Sequence, residues 1–508
     1  MGNRTLFLAL LSITGCAYII QWQYHIKRMS QYAEASTYAR VNYWLESADC
    51  SQKTGTFLTV CGEDNKPIPI EVKYPGDYRG MTLLADAVAI FSKPTVNRVK
   101  ITYIHFLINH LGILILALSL FLLGHRWFSL GILNLGFFFV FPKIFLGPDE
   151  PTGYFGLFCG VLASIVFFHG LFREDLQLSF KNIFAAVAAY FLLIGSFLIR
   201  QPLGAIGLVG SVLVILINLR GLKKNRKNIF LICLFGIALV LIPFSNDLIF
   251  SVRNRICHFS TLPRGLESNS ATGFSHILYI GLGSGTDQLG INWSDKNAQI
   301  AIRKKYPDVI IYSKKYFWLL YLEYARIVAR SPVAVIRLYL NKFKSSLKVI
   351  GLSLWGYLVI ILAFIYWRLN QASHWHDKNS LRDMILIVFL MNSLVLFQGV
   401  LGNPLGRYLY PAKFGFVFNW TLFLYLLWEV PPKPFFWASH GYSLVLLIPS
   451  FEIWLWRLMV SQNLSVFVLD LVTVMIKAIL PLASIFYLAF IFKDWRETLK
   501  VKRVSATP

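Results

Sequence analysis

Two adjacent carboxylates, Asp149 and Glu150, stand between prolines in "GPDEP" at 147–151. Side by side in so short a connection, they can hold a divalent cation such as Mg or Mn, or orient a sugar hydroxyl. They can equally cap the helix that follows, because a helix N-terminus attracts negative charge. Asp77, in "YPGDYRGMTLLADAVAIF" at 74–91, precedes an amphipathic pattern. It suits a general base if its surroundings raise its pKa toward neutrality, or a helix N-cap if they do not. "GNPLGRYLYPAKF" at 402–414 carries Arg407, Tyr408 and Lys413. The planar fork of arginine suits a phosphate, and tyrosines suit a membrane interface. His105, with Asn109 and His110, lies inside an apolar run, where polar side chains face a bundle interior or a wet cavity.

A further stretch, "HILYIGLGSGTDQLGINWSDKNAQIA" at 276–301, is glycine-rich and invites a phosphate-cradle reading. No strand–helix–strand context surrounds it, so nucleotide binding is rejected. Two readings remain: a structural turn that folds Tyr279 and Trp293 over the membrane surface, or a lid over a substrate. In the second, His276, Asp287 or Asp295 touches a polar headgroup or the acceptor.

The elements that must position these residues are mostly apolar. The chain has 508 residues, 56% of them hydrophobic and 15% charged, against about a quarter charged in a soluble protein. Apolar runs near 20 residues, each able to cross roughly 30 Å of hydrocarbon, recur along the sequence. They predict an all-α polytopic membrane protein with about twelve spans, at 5–22, 102–123, 128–146, 153–171, 182–199, 203–219, 229–250, 350–367, 384–401, 408–428, 437–458 and 466–492. The first run is read as a retained helix, since no clear cleavage signal follows it. The net charge of +24 is read as loop lysine and arginine meeting lipid headgroups, with no nucleic-acid partner implied.

Lysine and arginine crowd "RGLKKNRKN" at 220–228, "WRLNQASHWHDKNSLRD" at 367–383 and the tail at 493–508. "GPDEP" and "SQNLS" at 461–465 carry neither. Positive charge stays on the cytoplasmic side, so both termini are expected inside. The organisation is then a first span at 1–22, an outer loop at 23–101, spans at 102–250, a large outer loop at 251–349, spans at 350–492 and a basic cytoplasmic tail. The first loop mixes short β-like pieces with turns and contains Cys50 and Cys61, for which a disulfide closing a short hairpin is expected outside the membrane. The second ends in "YFWLLYLEYARIVARSPVAVIRLYLNKFKSSL", whose apolar residues at helical spacing beside lysine and arginine read as helices on the membrane surface.

This arrangement resembles the GT-C class of integral membrane glycosyltransferases, which take sugars from polyprenyl-phosphate carriers. The resemblance lies in a first span followed by a long outer loop with an acid, here Asp77. It also lies in a second acidic motif, here Asp149 and Glu150, and in a late arginine–tyrosine–proline pattern, here "RYLYP" at 407–411. "YIGLGSGTDQLGINWSD" is similar to a segment of uncharacterised bacterial members. The class places its first-loop acid close after the first span, whereas Asp77 is far downstream, so Glu46 and Asp49 are rival bases. The resemblance implies a bacterial inner-membrane transferase with its long loops extracytoplasmic. It further implies a lipid-linked sugar donor, a lipid, glycan or protein acceptor, and Arg407, loop lysines or a metal against the departing phosphate. Two rivals stand beside it. One is an O-antigen ligase or polysaccharide polymerase using Arg253, Arg255, His258, Arg264 and His276. The other is a transporter, for which inverted repeats and midplane polar groups are lacking.

Overall fold

The computed structural model describes residues 3–34, 39–74, 79–91, 96–126, 128–133, 153–173, 179–219, 226–259, 274–284, 289–350, 379–403 and several positions between 409 and 418. The expected spans at 350–367, 437–458 and 466–492 lie outside the described residues, as do most of those at 128–146 and 408–428. The chain divides into two compact units, Met1–Phe343 with Leu390–Phe414, and Lys344–Phe389 with Gly415–Pro508. The described elements belong to the first, apart from one end each of two helices.

The described chain is mostly helical, as expected of a membrane protein. Among the described residues, three helices are long and apolar enough to cross a bilayer, or up to four if a bent pair counts as one span. The first helix, α1 (Asn3–Glu34), runs past the expected end of its apolar stretch. Helices α2 (Ala39–Thr54), α3 (Ile70–Lys73) and α4 (Arg79–Phe91) follow with a two-stranded ribbon, β1 (Thr59–Cys61) and β2 (Pro67–Pro69), between α2 and α3. Next come α5 (Arg98–Leu122), α6 (Gly153–Arg173), α7 (Phe180–Ile199) and α8 (Gln201–Leu219).

Helix α6 is the centre of this bundle. Every residue from Gly156 to Phe172 is buried, with α5, α7 and α8 around it. Its contact with α5 is backbone on backbone. A Cβ on Gly112 would stand 2.1 Å from the Gly156 carbonyl oxygen, and one on Gly156 would stand 2.2 Å from that of Ile108. Small residues permit such close approach between apolar helices, where no water-driven force holds them together. Asn109 belongs to the same contact: its side-chain oxygen accepts from the Gly156 N–H at 3.0 Å, one of the donors a helix start leaves without an intrahelical partner. Helix α7 keeps Phe180, Ile183, Phe184, Val187 and Phe191 exposed, an apolar stripe at helical spacing that suits lipid.

The segment expected as a single straight span at 229–250 is broken into two helices. Helix α9 (Arg226–Leu241) gives way to a 3₁₀ turn at Ile242–Phe244 and then α10 (Ser245–Ile256), with the paired segments bent by 57°. Pro243 lies in the turn, where it lacks the N–H the helix would need. The bend brings α10 against the first long segment. There β1 pairs antiparallel with β2, Val60 opposite Ile68, and Cys50 is disulfide-bonded to Cys61 as expected. Leu58, in the left-handed region at φ 54°, is gripped at both polar atoms. Its N–H donates to Asp86 Oδ2 at 2.7 Å, and its carbonyl accepts from Arg253 Nη1 at 3.1 Å. Arg253 also donates to both Glu71 carboxylate oxygens, at 2.8 and 2.6 Å, with both side chains fully buried.

The rest of the described chain is α11 (Phe274–Gly281), α12 (Asp295–Lys305), α13 (Lys314–Arg330), α14 (Pro332–Ile350) and α15 (Asn379–Leu401). The first four share a core of Tyr279, Leu282, Ile291, Ile302, Tyr316, Leu320, Val335 and Leu338, with Trp293 packed against it. The second long segment is therefore a folded helical module, and Tyr279 and Trp293 serve its interior.

Removing one partner of a buried ion pair leaves a charge in low dielectric, at a cost of about 3–5 kcal/mol. Glu71→Ala is expected to lower stability by that order in denaturant unfolding of the purified protein. The double replacement Glu71→Leu with Arg253→Met is expected to recover most of it.

Candidate functional site

Three helix starts converge in the second module. His276 is the third residue of α11, Asp295 the first of α12 and Tyr316 the third of α13. His276 Nδ1 lies 3.0 Å from the Tyr316 hydroxyl, and Nε2 lies 3.0 Å from Asp295 Oδ1. The His276 side chain is fully buried, while that of Asp295 is 51% exposed. An acid in the first turn of α12 is favoured by that helix's dipole. Ser313 caps α13 by accepting from the Tyr316 N–H at 3.2 Å, which fixes the ring that backs the histidine. Burial, with Tyr312 and Asp295 nearby, pushes the Tyr316 phenol well above its ordinary pKa, so it stays protonated. With Asp295 ionised, Nε2 carries a hydrogen and donates to it. Nδ1 then accepts from the phenol when the ring is neutral, and donates to it when the ring is charged. The outcome is a carboxylate at the surface whose orientation is set by a buried imidazole.

This module is anchored where the "GNPLGRYLYP" segment begins. Lys342 Nζ donates to the carbonyls of Gly281 and Gly402, the latter at 2.6 Å. Ser284 Oγ donates toward the same two oxygens at 3.1 and 3.0 Å. Gly281 ends α11, and Gly402 follows α15, so the lysine meets carbonyls that helix ends leave unpaired. The glycines of "GLGSG" make this possible. A Cβ at 281 would meet the Leu401 carbonyl oxygen at 2.1 Å, and one at 283 would meet the backbone of Ile291 and Asn292 at 2.5 Å. The glycine-rich stretch thus serves backbone packing, in line with rejecting a nucleotide cradle. Burial draws the Lys342 ammonium down to about 7.

The expected site residues divide accordingly. His276 and Asp295 are brought together, with the imidazole fully buried and the carboxylate half exposed. His105 is buried on α5 with its ring 5.6 Å from that of Trp44, far in sequence from this module. Asp77, Asp149, Glu150, Asp287, Arg407, Tyr408 and Lys413 lie outside the described residues. Arg253, offered by the ligase-type reading, is committed to Glu71. Tyr316, Ser284 and Lys342 were not singled out from sequence. The lysine had a signal: Val335, Leu338 and Lys342 fall on one stripe of α14, and all three are buried, so a charge sat on the face that packs. Among the described residues, no three His, Cys, Asp or Glu side chains converge as a metal cage.

Set beside known proteins, the chain matches no family model, no curated protein and no solved structure.

Two outcomes test this geometry. Ala at 281 overpacks the contact with Leu401, and Gly281→Ala is expected to cost roughly 1–3 kcal/mol in thermal unfolding. The second concerns pH. The folded pKa of Lys342 is depressed, so the unfolded chain binds the extra proton between about pH 7 and the ordinary lysine value, and stability should rise with pH across that window. A neutral amine keeps two N–H donors, enough for both carbonyls. Unfolding measured at pH 7 and pH 9 is expected to show that rise in the parent protein and a flatter profile in Lys342→Met.

Proposed function

We propose that this chain is an integral membrane glycosyltransferase that moves a sugar from a polyprenyl-phosphate-linked donor to a lipid, glycan or protein acceptor at the extracytoplasmic face. The observation that carries the reading is the clasp at Gly402. Lys342 and Ser284 tie the His276–Asp295 module to a point five residues before Arg407. A carboxylate suited to an acceptor hydroxyl and an arginine suited to a departing phosphate therefore belong to segments joined by one buried contact.

In the reaction, the acceptor O–H loses its proton to a carboxylate as its oxygen attacks the anomeric carbon. The carbon–oxygen bond to phosphate breaks, and the phosphate leaves with the electron pair. Arg407, with Tyr408 and Lys413, meets that developing charge. Asp77 takes the proton, and Asp295, held by His276, orients the acceptor hydroxyl. Asp149 and Glu150 act on the donor side, and no step is routed through a metal.

The disulfide supports an oxidising compartment for the first long segment. The surface of α14 supports contact with lipid: Val333, Ile336 and Leu340 are exposed along one stripe with Arg337 beside them, the pattern of a helix lying in a bilayer interface. The committed ion pair of Arg253 weighs against the ligase-type alternative.

The test is transfer from a radiolabelled polyprenyl-phosphate sugar by protein purified in detergent, with membrane lipid extract as the acceptor source. Asp77→Asn is expected to lower kcat by about 10²–10⁴-fold, and Arg407→Ala by roughly 10²-fold or more. Asp295→Asn is expected to raise the acceptor KM about tenfold with kcat largely kept. Failure of the parent protein to release sugar from any such donor, alongside donor movement across liposomes, would favour a transporter instead.

A further inference from the structure

The first long segment contains a second polar cluster that the proposed transfer does not use. Ser47 and Ser51 stand one turn apart on α2, and Thr82 and Asp86 one turn apart on α4, which packs against α2. All four side chains are at most 1% exposed. The Ser47, Ser51 and Thr82 hydroxyls and Asp86 Oδ1 make no well-formed hydrogen bond among the described residues, although Ser47 and Ser51 approach the Asp86 carboxyl. Oδ2 accepts from the Leu58 N–H.

Four buried oxygens outside well-formed hydrogen bonds are costly in an otherwise apolar interface of Val41, Trp44, Ala48, Met81, Ala85 and Ala89, since each poorly satisfied group loses its hydration. Three neutral hydroxyl oxygens and one carboxylate carry a single negative charge. The charged neighbours do not neutralise it. Glu71 is paired with Arg253, Glu46 with Lys73 and Asp49 with Lys53. On α5, which also meets α2, the His105 ring lies tilted 5.6 Å from that of Trp44, and Arg98 donates to Asn42. Hard cations take oxygen donors, and a divalent ion in an all-protein cage draws on several carboxylates. A single carboxylate with three hydroxyls balances one positive charge.

We propose that Ser47, Ser51, Thr82 and Asp86 form a binding site for a monovalent cation, sodium, between α2 and α4. A bound ion sets the spacing of the two helices that carry the disulfide and the Leu58 contact, and so makes the first module's stability depend on salt identity.

The experiment is thermal unfolding of the full-length protein in detergent at pH 8, in sodium chloride or N-methylglucamine chloride at equal ionic strength. Sodium is expected to raise Tm by about 3 °C or more. Asp86→Asn keeps an acceptor for the Leu58 N–H and is expected to unfold at the same temperature in both salts. Ser51→Ala and Thr82→Ala, which leave the carboxylate in place, are expected to shift the half-effective sodium concentration upward by roughly tenfold. Equal Tm in the two salts for the parent protein overturns the proposal and leaves the hydroxyls to ordered water. So does a sodium effect that survives in Asp86→Asn.

Discussion

A single ammonium group buried at the meeting of two helix ends is the contact on which the second module depends. Among the described residues Lys342 forms no ion pair; its donors go to the carbonyls of Gly281 and Gly402. Helix C-termini leave carbonyls without intrahelical partners, so two of them meeting in a buried place need a donor between them, which the Lys342 amine supplies even when neutral. That requirement explains neighbouring choices at once. Residue 281 must lack a side chain because Leu401 presses on it. Ser284 must be small and polar because it shares both acceptors. The start of α11 then fixes His276, and through it Asp295.

The described part of the chain shows a recurring solution to charge in an apolar protein. Arg253 meets Glu71 and a carbonyl, Glu323 bridges Lys305 and Arg326, and Asn109 meets a helix-start N–H. Each partner comes from another turn or another helix, so each contact also fixes packing. The Leu58 contact is the densest instance: one residue in a left-handed conformation is held by groups from α4 and α10 at the same time. Strained backbone of this kind persists where the surroundings over-determine it.

How far the sequence could be read follows from the range of the interaction concerned. Helices α5, α6, α7, α8 and α15 were legible as spans or near-spans because apolar composition over about twenty residues is a local property. The Cys50–Cys61 crosslink was legible because few cysteines stand close together. The break at 242–244 was missed although Pro243 is its local signal; the continuous hydrophobicity on both sides outweighed it. Lys342 and Gly281 are separated by 61 residues, and Arg253 and Glu71 by 182, so nothing local announces either contact. Asp77 drew attention by standing before an amphipathic run. Asp86, nine residues on and inside that run, is a carboxylate that the fold buries, and polarity in the sequence does not announce burial.

The Cys50–Cys61 crosslink has a consequence for biogenesis. It joins α2 to the ribbon that presents Leu58, so the first module gains its clasp only where thiols can be oxidised. A copy folded where thiols stay reduced would hold two separate sulfurs, and the ribbon would then be tied to α2 by packing and hydrogen bonds alone, with no covalent link.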